Sequence, residues 1–97
     1  MLSKETTIAL SAISKERLRQ IDLAHGGDTD EFDKLNTKND WVAYVAAYIG
    51  RAADNVLRNT REGNTFRENM VKAGALCLAA IEAHDKGYCE HETNDQK

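Results

Sequence analysis

Apolar and polar positions along this chain recur with the period of a helix rather than a strand. No proline interrupts the pattern, and aromatic and β-branched residues do not alternate with polar ones, so the sequence predicts an all-α fold. From about Lys4 to Ala24, the residues Ile8, Leu10, Ile13, Leu18 and Ile21 form a narrow apolar stripe, closed by Gly26-Gly27. A second helix is predicted to start at Asn39 or Asp40, either of which can accept from exposed backbone N–H groups. Trp41, Val45, Tyr48, Ala52 and Val56 then recur at helical spacing, with Val42, Ile49 and Ala53 beside them, and the pattern fades between Arg58 and Gly63.

The third helix carries the sharpest start signal. In "TFRE", Thr65 and Glu68 have the spacing of a capping box, and the helix runs on through "NMVKAGALCLAAIEAHDK" to stop at Gly87. Phe66, Met70, Ala73, Cys77, Ala80 and Ile81 make one apolar face, and Val71, Ala75 and Leu78 make another. Three helices do not easily enclose an element that is apolar on two faces, so one face predicts a subunit interface. The expected architecture is a single-domain, three-helix antiparallel bundle with a long first connection, assembled as an oligomer. The polar tail 88–97 is expected to fray.

Composition sharpens this picture at one place. The chain is 41% hydrophobic and 30% charged, an ordinary globular balance. Its net charge of −3 disfavours direct nucleic-acid binding through a basic face. From His25 to Asp40, the five acids Asp28, Asp30, Glu31, Asp33 and Asp40 outweigh Lys34 and Lys38 by three charges, so this one segment holds the whole imbalance. No stretch has the roughly 18 apolar residues of a membrane span. The start "MLSKETTIAL" does not read as a secretory signal, and Cys77 and Cys89 lack a disulfide framework, which points to a cytoplasmic protein with reduced thiols.

Several groups of residues are candidates for chemistry. Glu82 and Asp85 lie three apart near the end of the third helix, which puts both carboxylates on one face and suits a hard ion such as Mg²⁺. The alternative is a solvated last turn. The dense acids Asp28, Asp30, Glu31 and Asp33 lack the regular ligand order of an EF-hand, and read either as a solvated loop or as part of a metal or partner site. Arg51, Arg58, Arg61 and Arg67 have the planar fork that clamps phosphates, against the alternative of helix-end charge compensation. Cys77, His84, Cys89 and His91 lack paired zinc-ligand spacing.

Two segments, "KERLRQI…GG…D…DWVAYVAAYIGRA" and "FRENMVKAGALCLAAIEAHDKG", resemble small phage-associated proteins described as MazG-like, or as the N-terminal domain of dATP/dGTP pyrophosphohydrolases. The resemblance spans about Ser14 to Gly87. It implies an all-α oligomer in which helix-borne acids hold Mg²⁺ while water attacks the α–β phosphate linkage of a nucleoside triphosphate. By that resemblance Glu82 and Asp85 match half of a metal site, Glu16 matches a recurring acid, and Asp33 and Asp40 match acids of the loop. Where the group's loop reads like "HDDTH…DW", this chain reads "FDKLNTKNDW", with Lys34 for the second acid and Asn36 for the histidine. The tandem Glu-Glu-x-x-Glu of MazG enzymes is missing.

Two functions are therefore expected to compete. In the first, Glu16, Asp33, Glu82 and Asp85 hold Mg²⁺, with Glu16, Glu82 and Asp85 catalytic, and Arg51, Arg58 and Arg67 bind a nucleotide substrate. In the second, the protein is a non-catalytic phage inhibitor. It binds a host defence protein through Asp28, Asp30, Glu31 and Asp33, or sequesters a signalling nucleotide between subunits.

Overall fold

A computed structural model describes residues 1–25, 33–58 and 65–89. Within them the chain is all-α, with three helices in sequence: α1 (Lys4–His25), α2 (Lys38–Arg58) and α3 (Phe66–Asp85). No strand occurs among the described residues. None of the helices is long and apolar enough to cross a membrane.

Each helix begins where a side chain can satisfy its orphan N–H groups. Ser3 Oγ accepts from the Thr6 backbone N–H at 3.1 Å at the head of α1. The expected capping box of α3 is present, with Thr65 and Glu68 each accepting from the other's backbone N–H. At α2 the structure corrects the expected start. Thr37 Oγ1 accepts from the Asp40 N–H at 3.1 Å, while Asp40 Oδ2 accepts from the Thr37 N–H at 2.9 Å. Thr37 therefore caps the helix and Asp40 reciprocates from its first turn, which is the same device in a Thr-x-x-Asp spelling.

The end of α3 is a left-handed cap. Gly87 has φ 81°, the Gly87 N–H reaches the His84 carbonyl, and the Tyr88 N–H reaches back to Ala83 at 2.9 Å. This reversal needs glycine's positive φ. It turns Tyr88 and buried Cys89 onto the cluster of Trp41, Ala79 and Ala83.

Both other helices pack on α3. Trp41, early in α2, meets Ala79 and Ala83 late in α3, and Asn55, late in α2, accepts from Asn69 Nδ2 at 2.8 Å early in α3. The two helices thus run in opposite directions along a seam made mostly of alanine. On the other side, Ile13 lies under Gly74, where an added Cβ would come within 3.0 Å of its Cδ1. Four residues further along α1, Arg17 reaches Glu82, so α1 and α3 run in the same sense.

The apolar stripes are only partly inward. Ile13 and Ile21 are partly covered, but Ile8, Leu10 and Leu18 of the predicted α1 stripe are exposed. On α2, Trp41 and Ala52 are buried while Val56 is exposed. Of the two faces expected on α3, Ala75 is fully buried with Val71 and Leu78 half-buried beside it, whereas Phe66, Met70, Cys77 and Ile81 remain open. Cys77, a member of one of these apolar faces, is an exposed free thiol, and Cys89 is a buried one.

Candidate functional site

The close approach of α1 to α3 at Gly74 places the next turn of α1 beside the last turns of α3. There Arg17 Nη2 donates to Glu82 Oε1 at 2.9 Å, and Arg17 Nε donates to the same oxygen at 3.3 Å. The same Nη2 also reaches Asp33 Oδ2 at 3.5 Å. One guanidinium thus links a carboxylate 16 residues away to another 65 residues away. The Arg17 and Asp33 side chains are nearly buried, at 11% and 6% exposure, while Glu82 is 43% exposed and opens the cluster to solvent. A buried carboxylate is stable only with a partner, and Arg17 supplies one here.

The chain around Asp33 is firmly held. The Asn36 N–H bonds to the Asp33 carbonyl, and Asn36 and Thr37 are buried. Tyr44 donates its hydroxyl proton to Asn36 Oδ1 at 3.1 Å. Burial, and secondarily the Asp40 charge, pushes the Tyr44 hydroxyl above its ordinary value, so it stays protonated as a donor. Lys34, which replaces an expected acid, lies 5.8 Å from the Tyr88 ring centroid, in cation–π range.

The remaining nominated acids go elsewhere. Glu16 adjoins Arg17 in sequence, yet a helix turns it about 100° away. It accepts from Arg19 Nε at 2.8 Å, Arg19 Nη2 at 2.6 Å and Gln20 Nε2 at 3.1 Å. The Arg19 hydrogen bond holds its carboxyl below the ordinary value, overcoming the opposing effect of burial. Asp85 is largely exposed, with its Oδ1 3.5 Å from His84 Nδ1. The structure therefore brings Asp33 and Glu82 together and leaves Glu16 and Asp85 apart from them. No group of three or more His, Cys, Asp or Glu among the described residues could hold a metal.

Of the nominated phosphate-binding arginines, Arg51 and Arg67 do not reach this cluster. Arg51 sits over the Tyr48 ring at 4.6 Å. Arg67 is exposed in the first turn of α3, some 15 residues and about 22 Å along the axis from Glu82. Arg58 ends α2, and its side chain lies outside the described residues, as do Asp28, Asp30 and Glu31.

Arg17 is the residue that sequence reasoning missed. Its partners are set by the approach of α1 to α3, and nothing in "KERLRQ" announces them. Asp33 and Glu82 offer two hard oxygen donors of the kind Mg²⁺ takes together with substrate phosphates, and in this structure both are engaged by Arg17. No family model, characterised relative or solved structure matches the chain.

Proposed function

We propose that this protein handles nucleotides at the Asp33–Arg17–Glu82 cluster, with Mg²⁺ held between the two carboxylates and the phosphates. The supporting observation is the convergence of Asp33 and Glu82 on one guanidinium. These are two of the five acids that the MazG-like resemblance nominates, and they come from distant parts of the chain. In this reading Arg17 is a resident cation that neutralises the pair, and a phosphate chain offers it a bidentate partner in exchange. The partly exposed Glu82 gives the cluster its access to solvent. Mg²⁺ would supply charge neutralisation at the phosphates.

Incubation of the pure protein with each nucleoside triphosphate and Mg²⁺ or Mn²⁺ tests the reading. Calorimetry is expected to give binding that needs the metal and is lost in Glu82→Gln, with pyrophosphate release reporting turnover. No binding by any nucleotide under either metal would refute it.

A second reading is sequestration without hydrolysis, and the position of Glu16 favours it. The third carboxylate that a water-activating site would use is committed to Arg19 and Gln20. Metal-dependent binding without pyrophosphate release selects this reading over the first.

A further inference from the structure

Two buried N–H donors find no acceptor among the described residues. Asn36 Nδ2 and Trp41 Nε1 each make no hydrogen bond, although the two residues are only 4% and 5% exposed. A donor taken out of water without an acceptor is costly, and folded proteins mostly avoid it. The cost weighs more in a chain of this length, whose stability is marginal.

Both donors belong to side chains that adjoin Tyr44. Its hydroxyl donates to Asn36 Oδ1 at 3.1 Å, and its ring meets Trp41 edge-on at 5.9 Å between centroids. The first contact fixes what Asn36 can offer. An amide has an acceptor end and a donor end, and with its oxygen held by Tyr44 only the NH₂ remains. The indole N–H is a donor and nothing else. The missing group is therefore an acceptor, and charge narrows its kind. Asp33 stands three residues before Asn36, and the Asp40 charge already acts on Tyr44. Among the nearby cations, Arg17 is engaged by Asp33 and Glu82, while Lys34 and Lys86 lie over the Tyr88 ring. A full negative charge at these donors would be repelled, whereas a neutral carbonyl would not.

We propose that Asn36 Nδ2 and Trp41 Nε1 choose the base of the nucleotide, donating to keto oxygens and rejecting an exocyclic amino group in the same place. The inference rests on the nucleotide reading above and adds base selection to it. The Asn36 N–H bonds to the Asp33 carbonyl at 3.3 Å, so the selecting amide and the phosphate-side carboxylate share one turn of chain. Tyr44 is the one of the three side chains that is only partly buried, and it gives a planar base an aromatic face to lie along. It is also a positioning residue, because its hydroxyl keeps the Asn36 amide from turning its oxygen toward the base. An amino group would set N–H against N–H and leave both sides unsatisfied, which lowers affinity by roughly ten- to a hundredfold.

Trp41 makes the test direct, because it is the chain's single tryptophan and its indole N–H gives one resonance in the ¹⁵N-labelled full chain. The experiment pairs calorimetry with that resonance, comparing ITP with ATP and UTP with CTP in Mg²⁺, and then the four nucleosides without metal. Each pair exchanges a keto oxygen for an amino group. ITP and UTP are expected to bind roughly ten- to a hundredfold tighter than their amino partners. They are also expected to move the indole resonance and slow its hydrogen exchange. In Tyr44→Phe, which keeps the ring and frees the amide to turn, binding is expected to persist while the ITP-to-ATP ratio falls several-fold. Equal affinities within each pair, with the indole resonance unmoved, overturn this inference and leave metal-dependent nucleotide binding standing. An indole N–H that exchanges slowly in the free protein and responds to no base shows a buried water only, and overturns it equally. Inosine and uridine moving the resonance without metal, with Glu82→Gln having no effect, would instead support base selection against the metal site. No response to any nucleotide or nucleoside overturns both.

Discussion

Replacing Arg17 with methionine keeps most of the side chain's length and removes the charge that joins Asp33 to Glu82. The two losses differ in size. Glu82 is 43% exposed, so its bonds to Arg17 are screened and contribute no more than about 1 kcal/mol. Asp33 is only 6% exposed, and losing a charged partner there costs on the order of 1–3 kcal/mol. A total near 2 kcal/mol lowers Tm by roughly 10 °C in a domain of this size. The same change leaves two carboxylates without their shared guanidinium, which raises their affinity for a divalent cation. With 10 mM Mg²⁺ and a Kd near 1 mM, linkage returns about 1.4 kcal/mol, or roughly 5–10 °C. Thermal unfolding followed by circular dichroism, with and without Mg²⁺, measures both effects. The variant is expected to melt lower and to recover with Mg²⁺, while wild type without nucleotide stays unchanged. An Arg17→Met protein that melts within about 2 °C of wild type, or that ignores Mg²⁺, would falsify the assignment of Arg17 as the cluster's resident cation.

Three further outcomes follow from the same structure. Gly74→Val places a branched side chain against Ile13, where even a Cβ would lie 3.0 Å from Cδ1, and is expected to destabilise by about 1–3 kcal/mol, partly restored by Ile13→Ala in a urea-denaturation double-mutant cycle. Glu16 titrates below its ordinary value of 4.5 because of Arg19, so its stabilisation is present above that value and is lost as pH falls through the lowered one. Urea unfolding is therefore expected to show a gap of less than about 1 kcal/mol between wild type and Glu16→Gln at pH 7, closing at strongly acidic pH. Thr37→Ala and Thr65→Ala are each expected to cost about 0.5–2 kcal/mol, with Thr37→Ala also reducing metal-dependent nucleotide binding because it loosens the chain that carries Asp33.

How much of this was legible depended on how local the cause was. The capping box at Thr65 and the stop at Gly87 could be read because each is decided within a few residues. Thr37 was overlooked as a cap because Asn39 and Asp40, both good capping residues, stand beside it, and Asp40 serves as the reciprocal acceptor instead. Periodicity located the apolar stripes of α1 and α2 without deciding which members would be covered. That depends on where α3 lies, and alanines rather than the larger residues fill the seam. Of the four acids expected to hold a metal, helical spacing nominated Glu82 and Asp85, the dense acidic segment Asp33 and the resemblance Glu16, and only Asp33 and Glu82 meet. Arg17 was invisible because its partnership with Glu82 spans 65 residues. A local pattern carries no trace of a contact made only when two helices dock.

The amide pair between Asn55 and Asn69 has a consequence for how the helices align. Away from Trp41, a seam lined by alanines is nearly uniform, and α2 shifted by one turn, about 5.4 Å, would find much the same small residues on α3 opposite it. Such a seam fixes distance better than alignment. The 2.8 Å bond between two side-chain amides breaks that uniformity, because a slipped pairing would strand polar groups against methyls. Asn69, 1% exposed, thus works as an index mark that tells α2 and α3 which turn belongs opposite which. Its replacement by alanine would preserve the helices and blur their alignment, together with every distant contact that depends on it.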